Sequence, residues 1–168
     1  MDISGSNVAQ EYLHNKVHQG QMLFVSHVFE GVLNNGSVYI RHKSGLTKEI
    51  HSVVTADTTG KWEFRSYAGT TYTADGTLLE ILNRKSPNGY TPEVEFRHTP
   101  TVDAIGTVRL ETQFGSGTNP AKATTGSFSE RLESVFGPTV DVLLEYKNAS
   151  GSTQDIAIVF NFYEELPE

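Results

Sequence analysis

The stretch Thr139-Val-Asp-Val-Leu-Leu-Glu-Tyr-Lys147, followed after a turn by Asp155-Ile-Ala-Ile-Val-Phe-Asn-Phe-Tyr163, decides the fold class. Successive side chains on a strand point to opposite faces, so Val140, Val142, Leu144 and Tyr146 share one face, against Asp141, Leu143, Glu145 and Lys147. In the second run Ile156, Ile158, Phe160 and Phe162 share a face, against Ala157, Val159, Asn161 and Tyr163. Both runs read as strands. The connector Asn148-Ala-Ser-Gly-Ser-Thr-Gln154 consists largely of residues that tolerate positive φ or bond their own backbone, which predicts an antiparallel hairpin. Pro138, which cannot donate to a ladder, marks where the first strand begins.

The same period of two runs through most of the chain. Met22 to Leu33 alternates Met22, Phe24, Ser26 and Val28 with Leu23, Val25, His27 and Phe29, and Asn34-Asn-Gly36 then predicts a tight turn into Ser37 to His42. Glu49 to Ala56 and Lys61 to Tyr67 flank Asp57-Thr-Thr-Gly60 and read as a third hairpin. Ala68 to Gly76 reads as a loop carrying Tyr72. Thr77 to Asn83 fits a helical turn as readily as a strand, and its context favours strand. Arg84 to Thr91 is a loop, Glu93 to His98 a strand with one wet face, and Ile105 to Thr112 a further strand. Gln113 to Ser129 is a long Gly/Ser/Thr-rich loop whose large apolar residues are Phe114 and Phe128. A loop of that length is functional or becomes ordered on a partner. Arg131 to Phe136 bridges it to the C-terminal strands.

The N-terminal segment has a different rhythm. Between Asn7 and His18 the residues Ala9, Leu13 and Val17 recur every fourth position, Asn7 and Gln10 stand at capping-box spacing, and Gly20 follows as a stop. A helix of two or three turns does not stand alone, so it must dock on its own sheet or on a neighbouring subunit. The organisation predicted is therefore an N-terminal helix or arm over residues 1–20 and a β domain over residues 21–168. With about nine or ten short strands, close turns and no βαβ alternation, the fold class is all-β, an antiparallel β-sandwich or jelly roll. No repeat of 20 to 50 residues is present.

Composition narrows function mainly by exclusion. The chain has 168 residues and no cysteine, which excludes disulfides and thiolate metal sites. Its formal charge of −7 opposes approach to a phosphate backbone, so nucleic acid is not an expected partner. The start Met1-Asp-Ile-Ser-Gly-Ser lacks the pattern of a signal peptide, and no run of about eighteen apolar residues occurs, so no membrane partner is expected either.

Each candidate for chemistry has a plainer structural explanation. His14 and His18, at i, i+4 spacing, share a helix face, but Asn15 stands where a zinc-protease helix carries Glu, and a solvated face accounts for them. His27, His42, His51 and His98 lie on expected strands as partly buried, hydrogen-bonded side chains. Glu93 and Glu95 point the same way about 6.5 to 7 Å apart at the backbone, a spacing open to a glycosidase pair and equally ordinary for an exposed strand. The chain has no Gly-x-Ser-x-Gly elbow and no phosphate loop, since Gly115-Ser-Gly117 runs into Thr-Asn-Pro. Asn148-Ala-Ser150 fits a glycosylation acceptor, but its turn residues explain it. Neither an enzyme nor a cofactor or metal is expected. Trp62, Tyr67, Tyr72 and Tyr90 are residues a carbohydrate-binding sandwich would use as platforms; Trp62 alternates with Phe64 and is expected in the core.

Several segments together resemble the head decoration, or cement, proteins of tailed bacteriophages. They are Glu11-Tyr-Leu-His with Val17-His18, Leu23-Phe-Val-Ser-His27, Tyr67-Ala-Gly-Thr-Thr-Tyr-Thr73, Phe96-Arg-His-Thr-Pro100 and Ile156-Ala-Ile-Val-Phe-Asn-Phe-Tyr-Glu164. The resemblance implies a virion structural protein made in the host cytoplasm. It implies a homotrimer that binds the major capsid protein on the outer surface of the head and stabilises it. The candidate interface residues are Tyr12, Leu13, Val17, Phe114 and Phe128, from the terminal helix and the long loop. The alternative from another class is a carbohydrate-binding or tail-associated adhesin module, for which exposed coplanar aromatics are the discriminating feature.

Overall fold

The computed structural model describes residues 14–85, 90–114 (Phe114 by its backbone alone) and 134–167. The early strands are β1 (Leu23–Val32), β2 (Ser37–Lys43), β3 (Glu49–Thr58) and β4 (Trp62–Ala68). Short ones follow: β5 (Thr71–Ala74), β6 (Thr77–Leu78), β7 (Leu82–Asn83), β8 (Glu95–His98) and β9 (Thr101–Ala104). The last four are β10 (Thr107–Phe114), β11 (Ser134–Phe136), β12 (Asp141–Asn148) and β13 (Gln154–Glu165).

These strands form an antiparallel β-sandwich. One sheet has the order β11-β3-β13-β1-β7, the other β10-β4-β12-β2-β8-β6, and β5 and β9 make a separate two-stranded ribbon. Of the eight principal strands, β1, β3, β11 and β13 lie in one sheet and β2, β4, β10 and β12 in the other, so the chain changes sheet at each step among them except from β4 to β10. Two interleaved four-stranded sheets wired in this way are a jelly roll.

That wiring corrects the hairpin reading. β12 pairs with β2 and β4, whereas β13 pairs with β1 and β3, so the C-terminal strands lie in opposite sheets. The same holds for β1 with β2 and for β3 with β4. The first turn shows the physical reason. Gly36 N donates to Leu33 O at 2.8 Å, and of the two central residues only Asn35 has positive φ, at 63°. A two-residue hairpin loop matched to strand twist needs positive φ at its first central residue, here Asn34; a turn with it only at the second lets the strands diverge.

The face assignments follow the alternation in the sequence. Across the first sheet Leu23 stands opposite Phe162, which stands opposite Ser52; in the next inward row Val25, Phe160 and Val54 align. From the second sheet Ile40, Trp62, Phe64, Val142, Leu144 and Tyr146 complete the core, with Phe96 of β8 against both Phe160 and Phe162 at ring-centroid separations of 4.8 and 5.2 Å. Trp62 is fully buried, as its alternation with Phe64 predicts.

One end of the sandwich is tied by a single side chain. The turns 33–36, 58–61 and 148–153 meet at Asn148, which is fully buried and therefore closed to glycosylation in the folded protein. Its Nδ2 donates to Val32 O (2.8 Å) and Ser152 O (2.7 Å), and its Oδ1 accepts from Ser150 N (2.9 Å). Backbone bonds Asn35 N to Asn148 O and Ala149 N to Lys61 O bring in the other two turns.

Residues 14–18 are helical and dock on the protein's own sheet. Lys16 Nζ pairs with Glu165 and lies 5.0 Å from the Tyr163 ring centroid, while Lys85 Nζ donates to His18 O at 2.6 Å. Three further readings are corrected. The expected loop around Tyr72 contains β5, whose Thr71 and Tyr72 pair with Ala104 and Val102 of β9, because threonine hydroxyls supply bonds a bare loop would lack. The expected strand Thr77 to Asn83 is two short strands in different sheets, β6 on β8 and β7 on β1. Arg131 to Phe136 has no settled type in the sequence; its described part, β11, pairs with β3.

Candidate functional site

The richest arrangement of polar side chains lies on the outer face of the six-stranded sheet. Strand register sets Tyr39, Glu145, Arg65 and Glu111 side by side across β2, β12, β4 and β10. Glu145 is buried there although it points away from the core, because Tyr67 and Ser37 close over it. Ser37 Oγ and Tyr67 OH each donate to its carboxylate at 2.6 Å, and Arg65 stands 3.6 Å away. Burial pushes the Glu145 pKa up, but the bonds from Ser37 and Tyr67 and the Arg65 charge outweigh it and hold the group below the usual carboxylate range. Burial, then the bond to Glu145, raises Tyr67 to about 12.

Beside this row the ribbon β5–β9 is strapped to the sheet. Arg41 donates to Asp141 through Nε (3.0 Å) and Nη2 (2.5 Å), reaches Asp75 at 2.5 Å, and lies 4.2 Å from the centre of the Tyr72 ring. Gly76 and Gly106 bound the ribbon with φ of 86° and 80°; a Cβ at either would stand 2.4 Å from a backbone oxygen, that of His98 or Ala68. Beyond the ribbon the chain enters β10, which is paired on one side with β4 and displaced by a bulge between Val108 and Leu110. Ile105, Val108 and Leu110 are exposed here at 41, 47 and 46%.

Each of the candidate platform tyrosines is engaged by neighbouring side chains. Tyr67 is buried with its hydroxyl on Glu145, and the Tyr72 ring is covered by Arg41. Tyr90 packs against the core, donates to Glu164 at 2.5 Å and accepts from Lys48 at 3.0 Å. Of the candidate interface residues, Tyr12, Leu13 and Phe128 lie outside the described residues, as does the side chain of Phe114, whose backbone pairs with Trp62; Val17 is half-buried in the docked helix.

The carboxylates and histidines are likewise brought into separate contacts. Glu93 accepts from Thr47 Oγ1 at 2.7 Å and Thr47 N at 3.1 Å, which lowers its pKa, whereas Glu95 takes Arg97 Nε at 3.0 Å. Glu164, with a fully buried carboxylate, anchors the backbone N–H groups of Glu93 and Val94. The Nε2 atoms of His14 and His18 are 2.9 Å apart, and no group of three or more metal-ligating side chains converges among the described residues. His27 stacks on His98 at 4.0 Å, and burial followed by the His98 charge lowers its pKa. His51 contacts Glu49 at 3.2 Å.

His42 departs from its sequence reading. It is buried to 1% exposure, stacked on Phe96 (4.9 Å, 11°) and edge-on to Phe136 (4.6 Å, 80°), and its Nε2 has no hydrogen-bond partner among the described residues. The signal available in the sequence was its inward parity with Val38 and Ile40 on one strand.

No family model and no curated protein matches the chain. Among solved structures, a mitogen derived from Yersinia pseudotuberculosis superposes with a TM-score of 0.30 at 10% identity, over 88% of each chain. The VP2 subviral particle of infectious bursal disease virus gives 0.10 at 16% identity, over 86% of this chain and 39% of that one. The Gx strain of the same virus gives 0.12 at 16%, over 86% and 38%. Likenesses this slight say nothing of fold or function.

Proposed function

We propose that the protein is a virion structural protein: a capsid decoration protein that binds the outer surface of a phage head as a homotrimer and stabilises it. The observation that carries the reading is the edge strand β10 and its approach, where Ile105 and Val108 are exposed at 41 and 47% and Leu110 at 46% on the opposite face from Val108, since exposed apolar residues along a sheet edge mark contact surfaces between proteins. Among the described residues β10 pairs on one side only, and such an edge is a template for pairing; the bulge at Val108 and the charges of Arg109 and Glu111 limit indiscriminate pairing there. Support also comes from the segments that resemble decoration proteins, and from Tyr67, Tyr72 and Tyr90, each of which is engaged by a neighbouring side chain. Jelly rolls serve both capsid and lectin roles, so the wiring alone does not choose between them.

Attachment to many symmetry-related sites stabilises a particle by mass action even when each contact is modest. The test is a heat challenge of particles with and without the protein, together with light scattering of the purified chain. Trimers in solution and greater heat resistance of decorated particles are expected. A monomer at micromolar concentration together with equal survival of bare particles rejects the reading.

A further inference from the structure

On the side of the sandwich where β1 meets β8, two histidines join the sheets. His27 belongs to the five-stranded sheet and His98 to the six-stranded one, and their rings stack at 4.0 Å with planes 22° apart. Phe29 stands edge-on to both, 4.5 Å from His27 and 6.3 Å from His98. Beside this clasp runs a strap, Thr77 to Asn83, which crosses from β6 on β8 to β7 on β1. Thr77 pairs with His98, and a Cβ on the preceding Gly76 would stand 2.4 Å from His98 O. In the middle of the strap Leu79 N donates to Phe96 O at 2.8 Å, the Leu79 side chain is buried, and Ile81 packs against the core. Each end is held by a ladder of two residue pairs.

The clasp is sound while the imidazoles are neutral, since two stacked cations repel. The residues paired with the histidines across the ladders are Ile158 on β13, Ile40 on β2 and Thr77 on β6, and β7 adds Leu82 and Asn83; none of these is titratable. On β8 Glu95 and Arg97 have the opposite parity to His98 and bond each other at 3.0 Å, while Arg41 of β2 is held by Asp75 and Asp141. Glu30 of β1 and Glu80 of the strap are exposed and form no ion pair with either ring among the described residues. His42 of β2 stacks on Phe96, and His98 Nδ1 meets Thr99 Oγ1 at 3.1 Å. No carboxylate therefore offsets a charge on the clasp, and burial followed by the His98 charge lowers the His27 pKa.

A histidine with a depressed folded pKa stabilises the closed form above its ordinary value of 6.5. That contribution is lost as pH falls from 6.5 through the folded value, because the opened form binds more protons. Elements with few contacts open first, and the strap has short ladders at both ends. Once released, Leu79 and Ile81 join Leu78 and Leu82, which are already exposed at 56 and 44%.

We propose that the His27–His98 clasp is an acid-sensitive switch: protonation separates the rings, releases the strap over residues 77–83 and uncovers an apolar surface that is closed at neutral pH. β6 and β10 are opposite edges of the six-stranded sheet, so the switch and the proposed capsid contact hold or fail independently.

Hydrogen exchange of the full chain, read by NMR from about pH 7.5 to about pH 5 and corrected for the intrinsic rate, tests it. Protection of the Leu79 amide is expected to fall severalfold on acidification while the core amides of β12 and β13 stay protected. His27→Phe keeps a ring in the stack without its charge and should abolish the pH dependence at Leu79. His98→Asn removes the like charge and should raise the midpoint at which the His27 ring protons titrate; it carries the test if His27→Phe does not fold. Protonation of His42 would instead lower protection across the whole sandwich and persist in His27→Phe. Leu79 protection that does not change with pH, an equal loss throughout the sandwich, a pH dependence that survives His27→Phe, or a His27 midpoint unmoved by His98→Asn overturns the proposal.

Discussion

The end of the sandwich tied by Asn148 and the ribbon β5–β9 are built from similar residues, chiefly Asn, Gly, Ser and Thr, yet they hold together differently. At the tied end one buried amide bonds Val32, Ser152 and Ser150 while the Ala149 N–H to Lys61 O bond brings in the turn 58–61, so the polar groups are satisfied in a dry environment. In the ribbon, Thr70 bonds Ile105 O and Thr71 bonds Asp103 and the Ala104 N–H on an exposed surface. A hydrogen bond contributes little when water can replace it, and its loss is felt when the partner is left buried and unmet. Turn composition alone therefore does not reveal which turns carry stability.

The sharpest contrast is with the core the tied end closes. Phe160, 2% exposed against Phe96, should cost about 3 to 5 kcal/mol when changed to Ala, read from the denaturant midpoint. A midpoint that hardly moves would put the ring outside the core. Asn148→Ala should cost about 1 to 3 kcal/mol, because Val32 O and Ser152 O lose their donor in a buried setting. Thr73→Ala in the ribbon, where the hydroxyl bonds Thr101 O at 3.4 Å, should stay within about 0.5 kcal/mol. Equal effects of these two changes would break the comparison.

How far the sequence reveals this architecture follows from the same contrast. Period-two alternation encodes which face a residue occupies, so the inward sets Ile156 to Phe162 and Val142 to Tyr146 and the burial of Trp62 are legible locally. It does not encode which strand lies alongside. Among the described residues no two consecutive strands pair, and every ladder joins segments distant in sequence, from β1 with β13 to β5 with β9. Turn residues such as Asn34-Asn-Gly36 specify a reversal of direction, while the φ of a single residue decides whether the arms rejoin or part. The outer polar row was partly legible: Glu145 and Tyr67 have outward parity, but the burial of Glu145 depends on neighbours contributed by β2 and β4. The deep burial of His42 depends on Phe96 and Phe136, brought in from strands distant in sequence, which no local pattern contains.

Glu145 gives the comparison a pH dependence. Its folded-state pKa lies below the ordinary value of about 4.3, so its ionised form contributes stability above that value, and the contribution is lost as pH falls through the folded pKa. Glu145→Gln should flatten the acid limb of a stability-against-pH curve relative to the parent protein. Thermal melts from pH 7 down to about 2.5 would show it. An unchanged acid limb would mean that the row Tyr39, Glu145, Arg65 and Glu111 does not stabilise the ionised carboxylate.

The smallest expected effect on the isolated protein is at Val108, and it tests the exposed region most directly. Val108 is 47% exposed on an edge strand, and its pairing with Tyr67 places its side chain on the outer face. Val108→Lys buries no charge and removes little buried area, so the melting temperature should stay within the shift that about 0.5 kcal/mol produces. The same change puts a strongly hydrated ammonium into the proposed contact, where desolvation without a partner is unfavourable, and particle attachment should drop several-fold in a sedimentation assay. Thr73→Lys, also exposed but on the ribbon, serves as a charge-matched control and should leave attachment intact. Loss of attachment in both variants would assign the effect to net charge. Loss in neither would remove β10 from the contact surface and leave the capsid role to other parts of the chain.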